Sequence, residues 1–238
     1  MTSTKTSGPG TTRPAIEGYS IVLAGSFEPK ELVPGWFTEN GLIDPHAAED
    51  LELEVILPDV CQYKLSWLGV SVDRNRLNLN TNDEKRLRPL RDLAYELLRV
   101  KSEVALRGLG INGQAHFPAD SEKAWHKIGH TLAPKSTWSP ILKDPGLLTM
   151  TVQGQRDDER EGFVNVKVEP SVKIQHGIYI DVNDHYQLAP DGEFASAADA
   201  MRILEDSFEQ ATERRRTYFS SVMRVASGSA RNDSKGDT

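Results

Sequence analysis

Apolar residues recur along the chain with two different periods, and the period separates strands from helices. The run Tyr19–Phe27, bounded by glycine and proline, predicts a short buried strand. Leu51, Leu53, Val55 and Leu57 alternate with Glu52, Glu54 and Ile56, the pattern of a half-buried strand that ends at Pro58. Tyr63–Val72 predicts a second strand, with Leu68, Val70 and Val72 on one face. Strand character returns over Val104–Phe117, loosened by Gly108, Gly110 and Gly113. Further on, Leu148, Met150 and Val152, then Val164, Val166 and Val168, alternate with polar neighbours on either side of the charged run Arg156–Gly162, which reads as a hairpin tip. Val172, Ile174, Ile178, Ile180 and Val182 continue the alternation, with His176-Gly177 as a tight turn. The connections are too short for parallel crossovers, so the sheet they build is antiparallel.

Helical period appears in four places. Pro29–Ile43 predicts a short helix cut near Pro34-Gly35 and anchored by Trp36 and Phe37. From Thr81 to about Lys101, Leu90, Leu93, Ala94, Leu97 and Leu98 form one stripe, and Thr81 and Glu84 have the spacing of a capping box. Pro89 implies either a kink or a separate first turn. Asp120 is positioned to cap a helix through Trp125 and Ile128 that stops at Pro134. A long helix closes the chain, opened by Ser196 and Asp199, with Met201, Leu204, Phe208, Ala211, Tyr218 and Val222 as its seam and Arg215 interrupting it. The expected architecture is α+β: one antiparallel sheet with helices mainly on one face and a long C-terminal helix. The folded body is expected over 18–226 as a single domain, between tails at 1–17 and 227–238 too poor in apolar residues to bury a face.

Composition narrows the class without naming a function. The 238 residues are 38% hydrophobic and 26% charged, which excludes a mostly disordered chain, a fibre and a disulfide scaffold. No segment has the apolar core of a secretory signal or the length to span a bilayer, and the single cysteine, Cys61, allows no internal disulfide, so cytoplasmic residence without a membrane partner is the expectation. The net charge of −7 conceals a layout. Between 28 and 59, the acids Glu28, Glu31, Glu39, Asp44, Glu49, Asp50, Glu52, Glu54 and Asp59 face only Lys30, whereas Arg74, Arg76, Lys85, Arg86, Arg88 and Arg91 follow closely. The two segments either pair within the fold or one of them faces a partner.

Candidate chemistry is sparse. His126 and His130 lie one helical turn apart, a spacing that lets two imidazoles reach one zinc or manganese ion, with His116, Glu122, Asp184 or His185 as further ligands. The glutamate of a zincin motif is absent between them, and two histidines flanking Ile128 without a metal is the blander account. Asp181, Asp184 and His185 cluster near a strand end, where they would serve as hard-metal ligands or acid/base groups; alternation, however, turns Asp181 to solvent, and turn chemistry at Asn183-Asp184 is the better account. Cys61 reads as a buried thiol rather than a nucleophile. The stripe of Arg74, Arg76, Arg86, Arg88 and Arg91 has the charge to grip phosphates, but no aromatic residue interleaves it, so a solvated face or a contact with an acidic protein surface is the better account. No P-loop, Rossmann fingerprint, nucleophile elbow, CxxC pair or EF-hand loop is present.

The run Ile21–Phe27 followed by Pro29, the segment Arg107–Asn112 (RGLGIN), the strand Val164–Val168 and the closing amphipathic helix occur in an order that resembles a sporadically distributed family of roughly 250-residue bacterial α+β proteins without an assigned function. The resemblance implies a bacterial cytosolic accessory protein and carries no catalytic residues or cofactor. Together these readings favour a non-enzymatic binding or regulatory protein that acts through protein–protein contacts or as a homodimer. A metal-dependent hydrolase or nuclease built on His126 and His130, and nucleic-acid contact through the arginine stripe, are the alternatives.

Overall fold

The computed structural model describes residues 13–48 and 51–226. The tail expected over 227–238 lies outside the described residues, as does 1–12 of the N-terminal one; strand begins at Ile16, inside the stretch expected to be tail. Nine strands form one antiparallel sheet: β1 Ile16–Gly25, β2 Leu51–Leu57, β3 Val60–Leu65, β4 Leu68–Asp73, β5 Arg76–Thr81, β6 Leu106–Pro118, β7 Met150–Gln155, β8 Gly162–Pro170 and β9 Gly177–Gln187. Their spatial order is β2-β3-β4-β5-β1-β6-β9-β8-β7. The helices are α1 Pro34–Glu39, α2 Leu87–Val100, α3 Glu122–Leu132, α4 Lys135–Trp138, α5 Ala197–Asp206 and α6 Phe208–Ala226. The α+β class with an antiparallel sheet and a C-terminal helix is therefore what the chain adopts.

The order of strands has a symmetry that the sequence, which shows no repeat, does not announce. Each half is a strand, helix, antiparallel meander and second helix: β1, α1, β2-β3-β4-β5, α2, and then β6, α3 with the short α4, β7-β8-β9, α5; the equivalence pairs β3-β4-β5 with β7-β8-β9 and leaves β2 as an extra edge strand. The halves meet where β1 pairs with β6, and Ile21 opposite Ile111 marks the centre of a pseudo-twofold. Across this centre runs the row Val70–Leu79–Ile21–Ile111–Asp184–Val164, in register through six strands. Alternation puts these residues, with Tyr19, Leu23, Leu77, Leu109, Ile180 and Val182, on the buried face, where α2, α5 and α6 pack. One cluster of buried side chains joins the first meander to α2 and α5; a smaller one joins β8 and β9 to α3 and α6.

Several expected boundaries move. Tyr63–Val72 is a hairpin rather than one strand, turning at Ser66, whose φ is 45°. Strand β5 follows it, where Leu77, Leu79 and Thr81 point inward; Asn78 and Asn80 mask the pattern because asparagine disfavours strands in isolation. Thr81 therefore ends a strand instead of capping a helix. Asp83 takes the cap, accepting from the Lys85 amide at 3.0 Å, and a 3₁₀ turn precedes α2, which resolves Pro89 as the sign of a separate first turn. Ser121, not Asp120, caps α3. The closing helix is broken at Ser207 into α5 and α6. Strand β2 is the sheet's edge, and Val55, Ile56 and Leu57 are exposed rather than half-buried.

Among the described residues no helix packs on the opposite face of the sheet, and a row of neutral polar side chains crosses it. Asn80, Ser20, Asn112, Asn183, Asn165 and Gln153 sit in register across six neighbouring strands. The Oδ1 atoms of Asn78, Asn112 and Asn165 are buried without a hydrogen-bond partner, a condition that costs about 1–3 kcal/mol for each such group.

Candidate functional site

The sequence-derived candidates do not converge. His126 and His130 project from the exposed face of α3 with their rings stacked at 6.1 Å; the Glu122 carboxylate lies 3.7 Å from His126 Nε2 and 4.0 Å from His176 Nε2. Asp184 and His185 are not in a turn but in the interior of β9, and as successive strand residues they point to opposite faces of the sheet. They cannot share an ion. His116 is buried, with Nδ1 2.8 Å from Ser171 Oγ. Among the described residues no three His, Cys, Asp or Glu side chains are grouped to hold a metal. Cys61 is buried in the core, and burial pushes its thiol up, away from the reactive thiolate.

The arginine stripe is divided by the fold. Arg74 and Arg76 stand at the β4–β5 turn; Arg86, Arg88 and Arg91 follow the other end of β5, about 17–20 Å away at the rise of a strand. Each has a local contact: Arg74 with Asp59 at 2.5 Å, Arg76 with Asp73 at 3.8 Å, Arg88 with Glu209 at 3.0 Å, Arg91 with Asp92 at 2.5 Å, and Arg86 over the Trp67 ring at 5.3 Å. Of the acidic segment, Asp59 meets this set, whereas Glu31 pairs with Lys101 and Glu52 with Lys64; Glu49 and Asp50 lie outside the described residues.

The charged side chains the structure does bring together were not singled out by pattern. Asp184 occupies, in an otherwise apolar row, the position that Leu79 takes in the first half. Its carboxylate is held by Arg156, which leaves the end of β7, and by Arg214 of α6 at 3.0 Å. The side chains of Arg156 and Asp184 are each 1% exposed. Asp158 closes the network, bonding Arg156 at 2.5 Å and Arg214 at 3.4 Å, and the Arg156 guanidinium lies 3.6 Å from the centre of the Tyr186 ring. Burial works against the charged form of Asp158, but the hydrogen bonds and charge of Arg156 outweigh it and hold the carboxyl below its ordinary value. The hairpin tip expected over Arg156–Gly162 is thus pinned inward by a buried arginine. The only sequence signal is an arginine at a strand end facing an aspartate in an apolar alternation.

That pin fixes the position of β7, the last strand of the sheet. Beside it, on the helix side, lies a groove of about 360 Å³, floored by Met150, Val152, Val164 and Val166 and rimmed by Leu132 of α3 and by Tyr218 and Val222 of α6. In the first half, the corresponding face of β3 is covered: Phe37 of α1 packs edge-on to Tyr63 at 6.2 Å. In the second half β7 has no such cover, and Val152 is 56% exposed. At the far end of α6, Phe219 and Met223 are buried on the sheet, and Phe219 packs against Phe117 at 5.9 Å.

The outer edge of β7 has no strand partner among the described residues. Its sequence, MTVQGQ, has no charge, no proline and no bulge, the devices that usually block edge-to-edge pairing. No protein-family model matches the chain, and no characterised protein is similar enough to count as a match. No helix among the described residues is long and apolar enough to cross a membrane.

Proposed function

We propose that the protein is a non-enzymatic assembly module that acts through protein–protein contact, and that its contact surface is the β7 edge with the apolar groove beside it. The observation that supports this most directly is the combination of an undefended edge with exposed apolar side chains on its inner face. The occupant we assign is a second copy of the chain. Every residue lining the groove is uncharged, so self-pairing meets no like-charge repulsion. An antiparallel pairing centred on Val152 sets Val152 against its own copy, Thr151 against Gln153, and bulky Met150 against Gly154, a self-complementary register of the isologous type. The segment SGSARNDSKGDT after Ala226 is a poor occupant by composition, with one alanine as its apolar content. A cytosolic, bacterial accessory setting belongs to the same proposal and rests on the resemblance of the strand and helix order and on a fold whose one cysteine needs no oxidising compartment.

Light scattering coupled to size exclusion tests the reading, with the full chain loaded from low micromolar to submillimolar concentration. The parent is expected to form a dimer with rising concentration, and Val152→Lys, at an exposed position, to remain monomeric with an unchanged melting temperature. A parent that stays monomeric throughout, or a Val152→Lys variant that dimerises as the parent does, overturns it.

A further inference from the structure

At the centre of the sheet's open face the polar paving opens into a depression of about 200 Å³. Gly18 and Ser20 of β1 form its floor. On one side stand Asn80 and Asn82, at the end of β5; on the other stand Asn112 and Gln114 of β6, with Asp181 of β9 next to Gln114. Glycine at 18 lets both walls close in over β1: a Cβ there would stand 2.7 Å from Gln114 Nε2 and 3.1 Å from Asn82 Oδ1. On the neighbouring strand β4, glycine at 69 lets the Asn80 side chain lie over the backbone, where a Cβ would meet its amide oxygen at 2.5 Å. Gln114 is fixed from outside the site, accepting from the Tyr179 hydroxyl at 2.6 Å through its carbonyl oxygen. Asn78 and Asn112 each keep a buried Oδ1 without a partner at this depression.

The chemistry of the lining selects the ligand. No lysine, arginine or histidine lines the depression, so a phosphate or nucleic acid has no counter-charge there. Lys167, which stands opposite Asp181 on β8, bonds Glu169 at 3.5 Å instead. No apolar side chain apart from Tyr19, whose ring belongs to the buried face, borders it, so a hydrophobic ligand gains nothing. What it presents is a set of amides, each with donor and acceptor, one serine hydroxyl and one carboxylate that accepts twice. Vicinal hydroxyl groups, which also donate and accept at once, satisfy such a set. The volume is below the roughly 300–1,000 Å³ typical of drug-sized ligands, which limits the occupant to about one ring.

We propose that this depression, with Gly18 and Ser20 as floor and Asn82, Asn112, Gln114 and Asp181 as walls, binds a neutral, hydroxyl-rich ligand the size of a single sugar ring. The site lies on the face opposite the β7 groove and is independent of the assembly reading.

The side-chain amides are themselves the reporters. Heteronuclear NMR spectra of the full chain would be recorded with millimolar glucose, galactose, mannose and N-acetylglucosamine, each added separately, and with inorganic phosphate and guanidinium as charged controls. At least one sugar is expected to shift the side-chain NH₂ signals of Asn82, Asn112 and Gln114 saturably, while phosphate and guanidinium leave them in place. Gly18→Val, which fills the floor, and Asn82→Ala, at an exposed position that carries no part of the core, are each expected to weaken the effect at least about tenfold. If Gly18→Val fails to fold, Asn82→Ala decides alone. The absence of a saturable shift with all four sugars, an equal response to guanidinium, or an unchanged affinity in Asn82→Ala overturns the proposal.

Discussion

Replacing Asp184 by leucine tests whether the ionic pin holds the second half of the sheet together. Leucine is the residue that the pseudo-twofold places at the equivalent position in the first half, so the apolar row would accept its shape. The cost is electrostatic. Arg156, whose side chain is 1% exposed, loses its bond to Asp184 and keeps Asp158; Arg214 loses its 3.0 Å bond and keeps Asp157 and Asp158. Breaking a buried pair by removing one partner costs about 3–5 kcal/mol, and the surviving Asp158 contact puts this case near the lower end, about 3 kcal/mol. For a chain of this size that corresponds to a melting temperature lower by about 6–12 °C. Urea unfolding followed by circular dichroism would measure it for Asp184→Leu, Arg156→Met and the double variant. The double is expected to lose much less than the sum of the two singles, because it removes both the charge and the group that compensates it. Strictly additive losses, or a single-variant loss below about 1 kcal/mol, would refute the assignment of Arg156 and Asp184 as a coupled pair.

Further predictions concern buried polar groups elsewhere. Burial lowers the affinity of His116 and of His185 for a proton, and Lys173 and Arg156 respectively add to the effect. Between its histidine pKa of about 6.5 and the lower folded-state values the unfolded chain therefore binds more protons, so their contribution to stability is complete above that pH and is lost as pH falls from there through the folded-state values. Melting temperatures taken from pH 7.5 downward should fall less steeply in His116→Gln and His185→Gln than in the parent; parallel curves would count against the burial argument. Arg215 is buried over the Tyr19 ring at 4.5 Å with its Nε unpaired, and Arg215→Met, which keeps the stem and removes the charge, is expected to stabilise the protein by about 1 kcal/mol or more in the same urea assay. A Cβ at Gly113 would run into the Arg215 side chain, so Gly113→Ala is expected to cost about 1–3 kcal/mol in the parent and clearly less in an Arg215→Ala background. Equal costs in the two backgrounds would show that the clash is not with Arg215.

Much of the site was invisible to periodicity for one reason: periodicity reports which face a residue occupies and not what it meets there. The alternation through Ile178, Ile180 and Val182 extends in phase to Asp184, yet an aspartate beside asparagine is the usual mark of a turn, and only Arg156 and Arg214, 28 and 30 residues away, allow it to stay in the core. The histidines one turn apart on α3 were found by spacing, and spacing placed them correctly on one face; it had no means of supplying a third ligand. Likewise the five arginines close in sequence are parted by the length of β5. The asparagine row could have been read in part from RLNLNT, where leucine and asparagine alternate, but its continuation through Asn112, Asn183 and Asn165 depends on register.

By itself the sequence determined the periods of its segments, and with them an antiparallel α+β fold with one apolar sheet face and a docked amphipathic C-terminal helix. Those properties follow from residues near one another in the chain, where the 2- and 3.6-residue periods act. Tertiary structure alone decided the pseudo-twofold about Ile21 and Ile111, the buried pin at Asp184, the undefended β7 edge and the amide-lined depression at Gly18. Each of these is a matter of strand order and register between segments far apart in sequence, and a shift of one residue in any pairing would turn the asparagines inward and the leucines out.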